Sequence, residues 1–186
     1  MNPGITSKDA IMQVCRKIAA EQGISALHMR TVAKECHIAL GTLYNYYADK
    51  NALLLATVES VWMDIIHTDA QSEAPLSFPD AVAELFDRIR IGISNYRDFL
   101  TAHSGVLTNF QNGEAKSRME HCFAHMKAGM LAALSVDPEV DAAAFSEALP
   151  REAFVDFIFD HMQLLFVQQK TDCTVLTALI RRIIYR

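Results

Sequence analysis

Residue types that could do chemistry are thinly spread in this sequence. His121 and His125 stand four apart, which on a helix puts both imidazoles on one face and could chelate a metal, but no third ligand is placed by spacing. A solvated pair is the plainer reading, and no metal is expected. Cys15, Cys36, Cys122 and Cys173 lie far apart with no CxxC spacing, as in reduced thiols used as small apolar filler. The sequence has no Ser-His-Asp order, nucleophile elbow or phosphate loop, so it reads as a non-enzyme with no cofactor. What remains is a cluster of cations, hydroxyls and an amide: Arg30, Thr42, Tyr44, Asn45, Tyr46 and Lys50. Such groups suit phosphates and base edges. Taken alone, however, Arg30 is an ordinary solvated charge, and aromatics at helical spacing are usually core.

The elements that must position these residues are helices. Ile11, Val14, Cys15, Ile18 and Ala19 fall on one face of a helix over about Ser7 to Gln22, with a capping-box-like Thr6 and Asp9 and a left-handed stop at Gly23. A connector from Ile24 to Leu27 leads to a second helix, Met29 to Cys36, that turns Val32, Ala33 and Cys36 inward. A third runs from about Leu40 to Tyr47, with Leu43 and Tyr47 inward and Ile38 plugging the turn. Three short helices, the last two tightly joined, form a helix-turn-helix signature.

From Lys50 a longer helix reaches about Ala70 and ends before a linker, Ser72 to Pro79. Asp80 can cap a helix through Ile91 to Asn95, and Asp98 opens a shorter one towards Phe110. After a break at Gln111 to Gly113 a long helix spans Glu114 to Leu134. Asp137-Pro138 starts a short one stopping near Leu149, Arg151 to Gln169 form the next with Pro150 in its first turn, and Asp172 caps a last one through Arg186. With no strand alternation and no internal repeat, the class is all-α.

Two stretches carry a more specific pattern. Leu27-His28-Met29-Arg30-Thr31-Val32-Ala33, followed by Ile38-Ala39-Leu40-Gly41-Thr42-Leu43-Tyr44-Asn45-Tyr46-Tyr47-Ala48-Asp49-Lys50, resembles the DNA-binding head of the tetracycline-repressor (TetR) family of bacterial regulators. The likeness covers about residues 7 to 56, and beyond it the chain resembles the family in architecture only. Three positions depart from the family's habit. His28 stands where Thr or Ser is common, weakening a helix cap. His37 stands where Gly is common, in a turn that can need positive φ, and Ala39 replaces a frequent Ser. A slightly less stable head, or unusual phosphate contacts, is the consequence.

The resemblance implies roles for the head. Lys50, at the positive start of the fourth helix, and the Tyr44 hydroxyl would hold the DNA backbone. Arg30 can take guanine bidentately or a phosphate, Asn45 can read adenine, and Leu40 with the Thr42 methyl can meet thymine. Gly41 permits close backbone approach, and Tyr46 can reach a phosphate or base. It also implies an N-terminal three-helix head, residues 1–50, and a helical effector-binding and dimerisation domain, residues 51–186. The body's apolar stripes, Phe154, Phe157, Ile158, His161, Leu165 and Phe166, then Val175, Leu179 and Ile183, are what a four-helix intersubunit bundle requires, although they could also face an internal core. An effector pocket would draw on Trp62, Phe86, Tyr96, Phe99, His103, Phe110, Met119, Phe123, Met126 and Met130, each of which could equally be packed core.

The function so implied is a homodimeric repressor on a pseudo-palindromic double-stranded DNA operator, released by an unidentified small-molecule effector. The alternatives are an all-α small-molecule-binding protein that has lost DNA function, and a regulator controlled by a protein partner. Composition fits a globular chain: of 186 residues 51% are hydrophobic and 21% charged, with a net charge of −5. Neither a membrane-spanning apolar run nor a signal-peptide pattern is visible, so a cytoplasmic setting is expected. The acidity is uneven. Residues 1–50 hold six basic and four acidic side chains, or +2, leaving −7 for the rest. A weakly basic head on an acidic carrier favours head-first approach to DNA.

Overall fold

The computed structural model describes residues 7–67, 77–96, 99 and 113–185. Among them the regular structure is helical: α1 (Lys8–Gln22), α2 (Met29–Glu35), α3 (Leu40–Tyr44), α4 (Lys50–His67), α5 (Phe78–Ser94), α6 (Gly113–Val136), α7 (Arg151–Val167) and α8 (Thr174–Ile184). No helix among them is long and apolar enough to cross a membrane. The chain forms two compact units, residues 1–65 with 92–122, and residues 66–91 with 123–186.

In the first unit, α1 buries Ile11, Cys15, Ile18 and Ala19, the stripe its period dictates. Its cap is Ser7, whose hydroxyl accepts from the Ala10 amide, 3.1 Å; the expected Thr6 lies outside the described residues. Gly23 ends the helix with φ 88° and ψ 158°, so it uses an extended positive-φ conformation instead of the left-handed helical one expected. A 3₁₀ turn over Ile24–Ala26 carries the chain into α2. The Arg16 guanidinium donates to the Ser60 hydroxyl at 2.5 Å and lies 3.9 Å from Asp64, joining α1 to α4. The Tyr96 hydroxyl donates to the same Asp64, 3.0 Å. Burial and then Asp64 push the Tyr96 pKa up to about 12. Gly92 stands close to Ile65, since a Cβ there would come within 2.6 Å of the Ile65 side chain.

In the second unit, α5 opens with Ser77 and Asp80 as a reciprocal cap: the Ser77 hydroxyl donates to the Asp80 carboxylate and accepts from the Asp80 amide. Asp80, expected as the cap, therefore sits inside the first turn. Phe86 stacks on Phe166 at 4.7 Å, and Phe78 lies 6.4 Å from Phe154, so α5 packs on α7 through aromatic rings. Lys127 pairs with Asp156 at 2.8 Å, holding α6 to α7.

The segment from Asp137 is the clearest departure from expectation. It forms no α-helix; a 3₁₀ turn spans Ala142–Ala144 and an isolated antiparallel bridge joins Ser146 to Leu149. The reason is Asp137, which is buried and whose carboxylate accepts from the Phe78 amide at 2.7 Å, the Tyr185 hydroxyl at 2.5 Å and the Glu139 amide at 3.0 Å. The bond to the Glu139 amide is local, but those to Phe78 and Tyr185 tie the carboxylate to residues distant in sequence, and a turn rather than an α-helix follows it. Burial alone would raise its pKa, but those three hydrogen bonds, with Arg181 nearby, outweigh it and hold the carboxyl below its ordinary range. Burial and Asp137 in turn push Tyr185 up to about 12. Pro150 stands one residue before α7, as its N-cap. The geometric cap of α8 is Cys173, while Asp172 supplies the hydrogen bond, accepting from the Thr174 amide at 3.1 Å.

Candidate nucleic-acid interface

The reading surface is built on the α2–α3 turn. The chain leaves α2 with the Cys36 amide donating to the Val32 carbonyl, 2.9 Å, and the Ile38 amide to the Ala33 carbonyl, 3.0 Å. Between them His37 adopts φ 55°, the left-handed conformation foreseen for this position. Neither His28 before α2 nor Ala39 before α3 makes a side-chain cap, so both helices begin on backbone contacts alone. Beneath the turn Val32, Ala33, Cys36, Leu43 and Tyr47 are buried. These residues make a small apolar floor from which the polar residues project.

α3 is shorter than its period predicts. It ends at Tyr44, and Asn45 and Tyr46 form a turn in which their amides donate to the Thr42 and Leu43 carbonyls, 3.2 and 3.0 Å. Tyr47 is still brought inward, through an amide bond to the Leu43 carbonyl at 3.0 Å. Asp49 then caps α4, its carboxylate accepting from the Ala52 amide at 2.8 Å. Sequence reading overlooked that cap, although an Asp just ahead of a helical run signals it.

Of the residues expected to touch DNA, Arg30, Gly41, Tyr44, Asn45 and Lys50 are exposed, while Leu40, Thr42 and Tyr46 are half-buried. Tyr44 is 48% exposed, although it adjoins the buried Leu43. A Cβ added to Gly41 would meet nothing within 4 Å, so no part of this chain requires glycine there. Arg16, one of the six cations of the head, is occupied by Ser60 and Asp64. Arg30 and Lys50 are therefore among the cations left to face outward.

Other candidate residues are distributed as follows. Trp62 and Phe99 meet edge-on at 5.4 Å, with Tyr96 6.2 Å from Phe99, all in the first unit. Phe86 and Phe123 pack against Phe166 and Phe159 in the second. Met126 borders a cavity there, while His103 and Phe110 lie outside the described residues. On α7, Phe154 and Ile158 point into the chain's own core, against the outward face foreseen for them, because a helix apolar on two sides must choose one for its own fold. Phe157, Val175, Leu179 and Ile183 are exposed, and His161 and Leu165 half-buried. Leu164 and Val167 are also exposed, extending that face beyond the residues foreseen. All four cysteines are buried, and burial pushes the Cys15 thiol up to about 12. His121 and His125 are exposed on α6, and among the described residues no three potential metal ligands cluster.

Comparison with known proteins agrees with this geometry. Residues 11–57 match the sequence profile of bacterial regulatory proteins of the tetR family. An uncharacterized HTH-type transcriptional regulator of Haemophilus influenzae is 28% identical over 145 residues, which span 69% of this chain and 73% of that protein. Among solved structures, BioQ with its natural double-stranded DNA operator superposes with a TM-score of 0.59 at 18% identity, over 89% of this chain and 88% of that one. The multidrug binding protein EbrR complexed with imidazole gives 0.58 at 17% identity, over 96% and 90%. The structural likenesses establish the fold, and the head's motif and profile match establish more. Residues 11–57 carry a DNA-binding head of the tetR family of bacterial regulatory proteins, and the chain is similar to HTH-type transcriptional regulators.

Proposed function

We propose that this regulator is a homodimeric repressor that leaves a pseudo-palindromic operator when a small-molecule effector binds its helical body. The observation that carries the reading is the outer face of α7 and α8. Phe157, Leu164 and Val167 on α7, and Val175, Leu179 and Ile183 on α8, are each 45% to 74% exposed. Scattered exposed apolar residues are ordinary, but an apolar stripe on each of two consecutive helices suits a contact surface. A two-fold axis through it would make a four-helix bundle from two copies. Two heads then address two half-sites, which a single short α3 needs for operator-strength binding.

In this reading residues 1–50 form the reader and residues 51–186 the effector-binding and dimerising body. Arg30, Asn45, Leu40 and Thr42 address base edges, Tyr44, Tyr46 and Lys50 the phosphates, and Gly41 admits the backbone. Effector binding moves α4, and the Arg16 contacts to Ser60 and Asp64 carry that motion to α1 and the head. A coupling of about 1–3 kcal/mol would change operator affinity by about 5- to 150-fold. That BioQ was solved with its operator and EbrR with imidazole supports both halves of the reading by analogy.

Sedimentation velocity together with DNA binding in a salt series tests it. The expected result is a dimer whose affinity for DNA from upstream of its gene falls steeply with salt. A monomer at micromolar concentration, or no DNA affinity at low salt, would overturn it.

A further inference from the structure

The second unit holds a cavity of about 230 Å³ between α5 and α6. Phe78, Val82 and Leu85 line it from one side and Met126 and Met130 from the other, with Arg88 as the charged residue of the α5 wall. The Arg88 Nε is fully buried and has no hydrogen-bond partner among the described residues. Nearby acids do not answer it. Asp87 is engaged by Arg90 at 3.0 Å, and Glu84, one turn back on α5, forms no ion pair with Arg88. A buried donor on a permanent cation, left open beside an apolar cavity, is a polar group awaiting an acceptor.

The chemistry of the acceptor follows from the walls. A guanidinium fork matches a planar carboxylate in two parallel hydrogen bonds. Apolar walls reject a hydrated inorganic anion and favour a carboxylate carried on a hydrocarbon body. The volume lies below the roughly 300–1,000 Å³ of sites for drug-sized molecules, so the body is small. We propose that this cavity binds a small apolar carboxylic acid as its anion, with Arg88 receiving the carboxylate and the α5 and α6 side chains enclosing the hydrocarbon. The proposal rests on reading the body as effector-binding and names the effector's class.

Calorimetric titration of the DNA-free protein tests it, with benzoate and hexanoate against benzyl alcohol and hexanol of matching shape. The carboxylates are expected to bind about 10- to 100-fold more tightly than the alcohols, as for a charge-assisted pair. In Arg88→Met that preference should vanish while weak binding of both sets persists. Gly129 also borders the cavity and a Cβ there meets nothing within 4 Å, so Gly129→Leu should fold and lose both sets. Should Arg88→Met fail to fold, Arg88→Lys, which keeps the charge without the fork, should cut the preference severalfold. Equal binding of acids and alcohols, binding of neither, or an undiminished preference in the Arg88 variants would overturn the site. DNA affinity is read separately: carboxylate binding that leaves it unchanged keeps the site and overturns the effector role.

Discussion

The head and the α7–α8 pair solve opposite problems with the same element. In residues 7–50 the aliphatic side chains of three short helices close on one another, and Tyr44 is the large apolar-bodied side chain left more than a third exposed. The head's outward groups include cations, hydroxyls and an amide. In α7 and α8 the inward stripe, Phe154, Ile158, Met162, Phe166, Leu176, Ile180 and Ile184, is equally complete, yet a second stripe of comparable size stays outside. The first surface is finished and suited to a polyanion, whereas the second is unfinished and is the face proposed to meet a second copy. Ionic strength separates them, since phosphate contacts release counterions and apolar burial does not.

The largest effect should come from charging the unfinished face. Leu179, 52% exposed, contributes little to the chain's own core. In a two-fold dimer, Leu179→Glu removes about 2 kcal/mol of apolar burial twice and sets two carboxylates near each other. The dimer dissociation constant should rise by about a thousandfold, with helicity unchanged by circular dichroism. A variant still dimeric at micromolar concentration by sedimentation would place the interface elsewhere.

Next in size is the junction that finishes the second unit's interior. Asp137→Ala strands the Phe78 amide and the Tyr185 hydroxyl, and should cost about 2–4 kcal/mol in denaturant unfolding. The same group sets a pH dependence. Its folded pKa lies below the ordinary 3.8, so its contribution is complete above that value and is lost as pH falls through the lower folded value. At the alkaline end Tyr96 and Tyr185 titrate near 12 in the folded protein against 10 unfolded, so stability should decline as pH rises from 10 to 12. In Asp137→Ala the acid step should shrink.

These two regions also differ in how far sequence could reveal them. The head was legible because its contacts are local: Leu43 and Tyr47 sit four apart, and the turn residues at 36–39 answer to neighbours a few positions away. The 137–149 segment was misread because Asp137 answers to Phe78 and Tyr185, and no local pattern encodes such partners. On α7 the period shows that Phe154, Phe157 and Ile158 are apolar at helical spacing, but which of them faces the core depends on α5 and its Phe78 and Phe86. Arg88 escaped notice for a related reason. A charge on an amphipathic helix reads as solvated until one of its donors is seen to be buried without an acceptor.

A smaller effect tests the finished surface. Lys50 is exposed at the start of α4. Replacing it with Ala should make the slope of log affinity against log salt shallower by about one unit, uniformly across DNA sequences. Dimerisation should not respond. A slope unchanged by the substitution would remove Lys50 from the phosphate contacts.

The smallest effects concern the head's three departures from family habit. His28 leaves the α2 amides without a side-chain acceptor, so His28→Ser should stabilise the protein by about 0.5–1 kcal/mol, visible as a rise of about 1–4 °C in melting temperature. At φ 55°, His37→Gly relieves a left-handed residue but loosens the unfolded chain, for a net gain of a few tenths of a kcal/mol. Both histidines are exposed beside the reading surface. Their salt slopes therefore decide what the departures mean. If stability rises and the slope stays fixed, the histidines merely weaken the fold; if either substitution makes the slope shallower, that histidine meets a phosphate, and the head's finished surface extends from α3 back to the start of α2 or the turn that follows it.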